Sequence, residues 1–202
     1  MVGINLVPLI DPKQNGPLLK RMKRVRSQLL FEYGLNIKGV RVMDNLDLGS
    51  HSYSIIIDQE VLAEGEICPK CSFYPFPKTN LTALNVSGKV VTNPISGDEG
   101  VWVSDSDVKV LQKNGYDALS IIDTISFHFL VVVKRYFLFK GRCQQFQLSD
   151  RECEVVKGVI EGKANPEIAT TLFISESTVK QHLQNIFQKA NIKSRYGLMK
   201  LF

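Results

Sequence analysis

Four cysteines, three histidines and one tryptophan among 202 residues leave little material for a disulfide scaffold or a metal cluster. Long apolar runs are missing too. The longest, Ile125 to Val133, is broken by Ser126 and His128 and closed by Lys134 and Arg135, well short of the about 20 apolar residues a membrane helix needs. Met1 to Ile10 holds no basic region followed by an apolar core and a cleavage site. The expectation is a cytoplasmic chain with no membrane insertion, in which the triplets Asn80-Leu-Thr and Asn85-Val-Ser are chance matches. Charge of one sign is also scarce: 25 Lys+Arg against 20 Asp+Glu give a net +5, spread over both sides of Phe146. A pI near 9.0 permits a nucleic-acid partner without arguing for one. With 44% hydrophobic and 22% charged residues, a mainly disordered or fibrous chain is excluded. The length suits one sizeable domain, or a medium one followed by a small one.

In a reducing cytoplasm Cys68, Cys71, Cys143 and Cys153 are expected as thiols. Cys68-Pro-Lys-Cys71 has the spacing of a redox pair or half a zinc site. A thioredoxin-type pair needs a helix N-terminus beneath it, and Ser72-Phe-Tyr-Pro-Phe-Pro cannot start one. No second such pair exists, and His51, His128 and His182 are scattered. Neither a metal nor a cofactor is therefore expected.

The first 140 residues read as mixed α and β. Pro17 and Gly34 bracket a helix whose apolar face is Leu18, Leu19, Met22, Val25, Leu29 and Leu30. Lys20 to Arg26 holds five basic residues in seven, read here as the solvated side of that helix. Val40–Met43, Tyr53–Ile57 and Val61–Ile67 are strand candidates, the last two joined by a turn at Asp58-Gln59. Ser104 and Asp107 form a helix start that ends at Gly115, and a richly apolar helix spans about Thr124 to Phe139. The polar stretch from Lys140 to Gln145 breaks the pattern. The expected division is a domain over 1–140, with an inserted subdomain at about 71–112, a linker at 141–146 and a small domain over 147–202.

From Leu148 onward, helix starts and stops follow closely. Ser149 caps a helix with Asp150 and Glu152 in its first turn, and Gly162 ends it. Asn165 with Pro166 opens a second helix, and Ser175 a third that runs to about Ala190. On the third, Val179, Leu183, Ile186 and Phe187 share one face; Ser177, Gln181, Gln184 and Gln188 share the other, flanked by Lys180 and Lys189. Two short helices with a tight turn, the second longer, outline a helix-turn-helix. An amide-rich face without acids suits the major groove.

Leu148-Ser-x-Arg-Glu-x-Glu-Val155, Asn165-Pro-Glu-Ile-Ala169, Thr178-Val-Lys-x-His182 and Asn185-Ile-Phe-x-Lys189 resemble the LuxR (GerE) type DNA-binding domain. The resemblance implies a four-helix domain binding double-stranded DNA, with the last helix, Ser194–Phe202, pairing two protomers into a homodimer. By position, Lys180, Gln181 and Gln184 would meet bases or phosphates, beside Ser177 on the same face. Thr178 and Lys189 would meet the backbone, while Glu152, Glu167, His182 and Arg195 would hold the domain together.

The front part resembles a different family. Met1-Val-Gly-Ile-Asn-Leu-Val-Pro-Leu-Ile-Asp11, Gly16-Pro-Leu-Leu-x-Arg21, Val40-Arg-Val-x-Asp-Asn45, Tyr53, Gly65-Glu66, Val101-Trp-Val103, Gly115-Tyr116 and His128 are similar to the cytoplasmic domain of the FlhA/InvA export-gate proteins of flagellar and type III secretion machines. Asn93, Ser96 and Phe127 stand where that family carries an acid, a phenylalanine and a threonine of its chaperone-binding surface.

The combined expectation is an α+β chain: a mixed α/β export-gate-like domain followed by a small all-α four-helix domain. It would act as a DNA-binding transcriptional regulator of secretion or motility genes, its front domain serving oligomerisation or partner sensing. The alternative is a non-DNA adaptor that meets a type III or flagellar export apparatus or its chaperones, with a secretion-system protein as partner. No nucleophile–base set, phosphate loop or metal cluster supports an enzyme.

Overall fold

The computed structural model describes residues 1–14, 16–37 and 39–202. The chain divides into two compact units, Met1–Lys134 and Arg135–Phe202.

The first unit is mixed α/β. Helix α1 spans Pro17–Tyr33, with Pro17 in its first turn and Gly34 in the left-handed conformation (φ 67°) at its end. Leu18, Met22, Val25 and Leu29 are its buried stripe, as their spacing predicts. Strands β1 (Ser52–Ile57) and β2 (Glu60–Glu66) form an antiparallel hairpin across Asp58 and Gln59, both at positive φ. A second antiparallel sheet has the order β3–β5–β4, from β3 (Cys71–Tyr74), β4 (Gly88–Thr92) and β5 (Glu99–Ser104). Helix α2 (Thr79–Thr82) and helix α3 (Asp105–Lys113) flank it, α3 being capped by the Ser104 hydroxyl. Tyr74, Leu81, Val86, Val101, Val103 and Leu111 bury a core on one face of this sheet.

Val40–Met43 forms no ladder. Only Asp44, just past it, makes an isolated bridge to Val2, which also bridges Tyr53. The partner stretch cannot lengthen because Ile4–Leu9 coils into a tight 3₁₀ turn directly after it. Cys68 and Cys71 are joined as a disulfide rather than standing as thiols. Cys143 and Cys153 are free.

Helix α4 covers Ile121–Gln145, so residues expected to be a polar linker are helical through Gln145. Ser120 accepts from the Asp123 amide at 3.1 Å and so starts it three residues earlier than the apolar pattern suggests. The second unit continues with α5 (Asp150–Ile160), α6 (Asn165–Leu172), α7 (Glu176–Lys189) and α8 (Arg195–Leu201). Ser149 and Glu152 form a full capping box on α5. On α6 the cap falls one residue early: Glu167 accepts from the Ala164 amide at 2.6 Å, so Asn165 is already helical. Val155, Val156, Val159, Ile168, Val179, Ile186 and Leu198 make the core of this unit. Among the described residues no helix is long and apolar enough to cross a membrane.

Candidate functional site

The first unit carries a cleft of about 430 Å³. Its walls are the end of β2 (Glu64 to Ile67), the rim at Cys68, the face of β4 and β5 carrying Lys89, Val91 and Trp102, the turn from Thr92 to Gly97, and His128 of α4. Strand alternation places Lys89 opposite Trp102 in the ladder, on the sheet face away from the buried core around Tyr74 and Val101.

The floor is rigid. Tyr53 Oη meets His128 Nδ1 at 2.8 Å, with both residues buried, and their rings pack edge to face at 5.7 Å. Burial pushes the Tyr53 hydroxyl well above its ordinary pKa, so it stays a neutral hydrogen-bonding group. Gly65 lies against this ring: a Cβ there would sit 2.5 Å from Tyr53 Oη, so the β2 wall must be bare at that point. Asn93, 2% exposed, fixes the turn from inside. Its amide Nδ2 donates to the Pro75 carbonyl at 3.1 Å, and its Oδ1 accepts from the backbone amides of Ile95 at 2.9 Å and Ser96 at 3.4 Å.

With those groups engaged internally, the cleft offers the exposed Glu64 and Glu66 carboxylates, the Lys89 ammonium, and the half-buried apolar surfaces of Val91 and Pro94, with the buried Trp102 in its lining. That mixture suits non-covalent docking of a peptide or protein surface. Among the described residues no group of three His, Cys, Asp or Glu side chains could hold a metal ion. The sequence marked Tyr53, Gly65, Trp102 and His128 as separate landmarks. Their meeting around one cleft, and the parts of Glu64, Lys89 and Val91, emerge only in three dimensions. Gly88–Thr92 carries no period-two alternation that could have marked it, Val90 and Val91 being adjacent.

The residues singled out on the second unit lie together on α7, but several are engaged locally. Ser177 Oγ and Thr178 Oγ1 share the Ser175 hydroxyl at 2.7 and 2.8 Å, at the helix cap. Gln181 donates to Asn185 Oδ1 at 3.3 Å. Lys189 pairs with the buried Glu152 carboxylate at 2.6 Å and donates to the Gln147 carbonyl at 3.1 Å. Lys180 and Gln184 are exposed. Arg195 binds the Asn165 side chain and the Lys163 carbonyl, a tie within the unit.

A mixed α/β unit followed by an all-helical one makes this an α+β chain. The chain belongs to the FHIPEP family, whose profile matches residues 1–189. It is 27% identical over 135 residues to flagellar biosynthesis protein FlhA of Borreliella burgdorferi, covering 67% of this chain and 19% of that protein. To FlhA of Proteus mirabilis it is 31% identical over 152 residues, covering 74% and 21%. To FlhA of Escherichia coli it is 25% identical over 190 residues, covering 93% and 26%. The chain thus spans about a fifth to a quarter of the length of these relatives. Its fold is similar to a cytoplasmic domain of Salmonella InvA, with a TM-score of 0.55 and 14% identity over 73% of this chain and 83% of that one. It also resembles the Chlamydia pneumoniae CdsV protein, with a TM-score of 0.57 and 22% identity over 79% and 48% of the two chains. CdsV in its complex with CdsO gives 0.56 and 15% over 99% and 62%.

These findings correct the leading sequence expectation. The FHIPEP match extends to residue 189, well into the stretch assigned to a LuxR-type domain, and the relatives are export-gate proteins. A separate LuxR-type domain, a transcriptional role and a double-stranded DNA partner are set aside, and the homodimer inferred from that likeness goes with them.

Proposed function

We propose that this chain is a cytoplasmic, non-enzymatic adaptor of a type III or flagellar export apparatus, meeting protein partners of the apparatus or its chaperones through the cleft between β2, β4 and α4. The observation that carries this reading is the FHIPEP match over residues 1–189. The cleft supports it: its inner hydrogen bonds are satisfied by Tyr53, His128 and Asn93, leaving carboxylates, one ammonium and apolar surface for a partner.

Binding of the purified chain to purified export-gate cytoplasmic domains and export chaperones tests it. Trp102 is the only tryptophan and lines the cleft, so its fluorescence reports occupancy directly. Saturable binding to one of these proteins with a change in Trp102 emission is expected. Absence of association with all of them overturns the reading.

A further inference from the structure

The geometry points to the open edge of β4 as a strand-addition site, which takes an extended segment of a partner protein by main-chain pairing. This rests on the docking reading above and names how the partner is held.

The outer edge of β3 is bridged at Phe73. Phe73 and Leu119 exchange both main-chain hydrogen bonds, at 2.8 and 2.7 Å. Phe73 therefore points its N–H and C=O away from β5, and antiparallel alternation fixes the rest. Val101 and Val103 aim their groups at β3, while Gly100 and Trp102 aim theirs at β4. The β4 residues opposite Gly100 and Trp102 are Val91 and Lys89. The Asn93 amide, donating to the Asp98 carbonyl at 2.7 Å, lies two residues past Val91 and in the same phase. The main-chain groups of Gly88, Val90 and Thr92 consequently face outward. No hydrogen bond from a described residue reaches them.

Edge strands are commonly blunted by a bulge, a proline or charge. The β4–β5 ladder is regular and has no proline before Pro94, whereas the β1–β2 hairpin carries an irregularity between Ile55 and Ile56. Val90 is 44% exposed, and the single charge, Lys89, projects to the cleft face. The matching occupant is an extended segment with a β-branched residue opposite Val90 and an acidic one opposite Lys89. A second copy of β4 fits less well, since antiparallel pairing about Val90 sets two Lys89 side chains diagonally on one face.

The probe is a blocked nine-residue peptide alternating valine with aspartate, added to the full ¹⁵N-labelled chain. Amide exchange at Gly88, Val90 and Thr92 should slow at least about tenfold at saturation, with Lys89 and Val91 little changed. Val90→Pro removes an outward N–H, which edge strands tolerate, and should weaken binding about tenfold or more. Should that variant not fold, peptides N-methylated in alternate registers give the same reading: one register abolishes binding and the other leaves it. Equal effects of both registers overturn the proposal, as do unaltered binding by a folded Val90→Pro, protection elsewhere, or no protection at millimolar peptide. Protection of the three amides that rises with protein concentration alone assigns the edge to a second copy and overturns the partner. An export component that binds wild type and Val90→Pro alike removes the edge mode and leaves the docking reading. If wild type binds no export component, the docking reading itself fails.

Discussion

Lys189 Nζ lies 2.6 Å from Oε2 of Glu152, whose side chain is only 4% exposed, so the last turn of α7 is tied to the first turn of α5. Burial by itself would raise the Glu152 carboxyl. The Lys189 ammonium and the Ser149 amide and hydroxyl outweigh it and hold the group below the usual glutamate range. A carboxyl depressed in the folded state stabilises above its unfolded pKa, and that contribution is lost as pH falls through the folded value. Lys189→Met should therefore cost about 1–3 kcal/mol at neutral pH, the range for stranding a buried group. The cost should shrink in acid, where Glu152 is protonated. Urea unfolding of both proteins across that range checks this, and a pH-independent difference would remove the ion pair as its cause.

Gly65→Ala tests the wall of the cleft. The added Cβ would fall 2.5 Å from Tyr53 Oη and Cζ, and Tyr53 cannot swing away because it is 2% exposed and held by His128. Overpacking of this kind costs about 1–3 kcal/mol. Thermal unfolding should show the loss, and Trp102 emission should shift if the β2 wall is displaced. A neutral substitution would mean that the ring has room the packing does not show.

Local signals were legible in the sequence because their causes are local. Pro17 and Gly34 bracket α1, Ser104 starts α3, and Ser149 with Glu152 starts α5, each through contacts within four residues. The cleft depends on separations no local pattern encodes: Tyr53 meets His128 across 75 residues. Strand β4 was missed because its pairing with β5 is what makes Gly88–Thr92 a strand. The helical unit shows a different failure. Capping boxes, an apolar stripe and an amide-rich face describe a way of packing short helices, and such packing does not settle what the exposed face meets. Lys189 shows as one more basic residue of a polar face in one dimension, and its ion pair with Glu152 shows only in three.

Asn93→Asp probes the turn that closes the cleft. Asn93 uses both ends of its amide, donating to the Pro75 carbonyl and accepting from the Ile95 and Ser96 amides. The carboxylate would keep the acceptor role and face the Pro75 oxygen without a proton to share. The loss should be about 1–3 kcal/mol at neutral pH. Burial raises such a carboxyl in the folded state, so its penalty is absent below the unfolded pKa and appears as pH rises through it. Stability curves of variant and wild type should therefore converge in acid, whereas a change that merely disturbs packing leaves a pH-independent offset. Divergence in acid would show that the Pro75 contact is not the one that matters.

Phe173 ends α6 in the left-handed conformation, with φ 56° and ψ 44°, and is 95% exposed. Its backbone completes a helix stop: Phe173 N–H reaches the Thr170 carbonyl at 3.4 Å, and Ile174 N–H the Ala169 carbonyl at 3.0 Å. A side chain with a Cβ pays for this conformation, and Phe173 recovers nothing by packing within the chain. Phe173→Gly should therefore stabilise by about 0.5–1 kcal/mol, after the greater freedom of glycine in the unfolded chain is subtracted. For a chain of this length that is a rise in Tm of about 1–4 °C. Phe173→Ala separates the causes, because it removes the same aromatic surface and keeps the Cβ. A rise with glycine and none with alanine assigns the effect to the backbone. Equal rises with both would place it in the exposed ring instead, making the left-handed turn at residue 173 no burden on the fold.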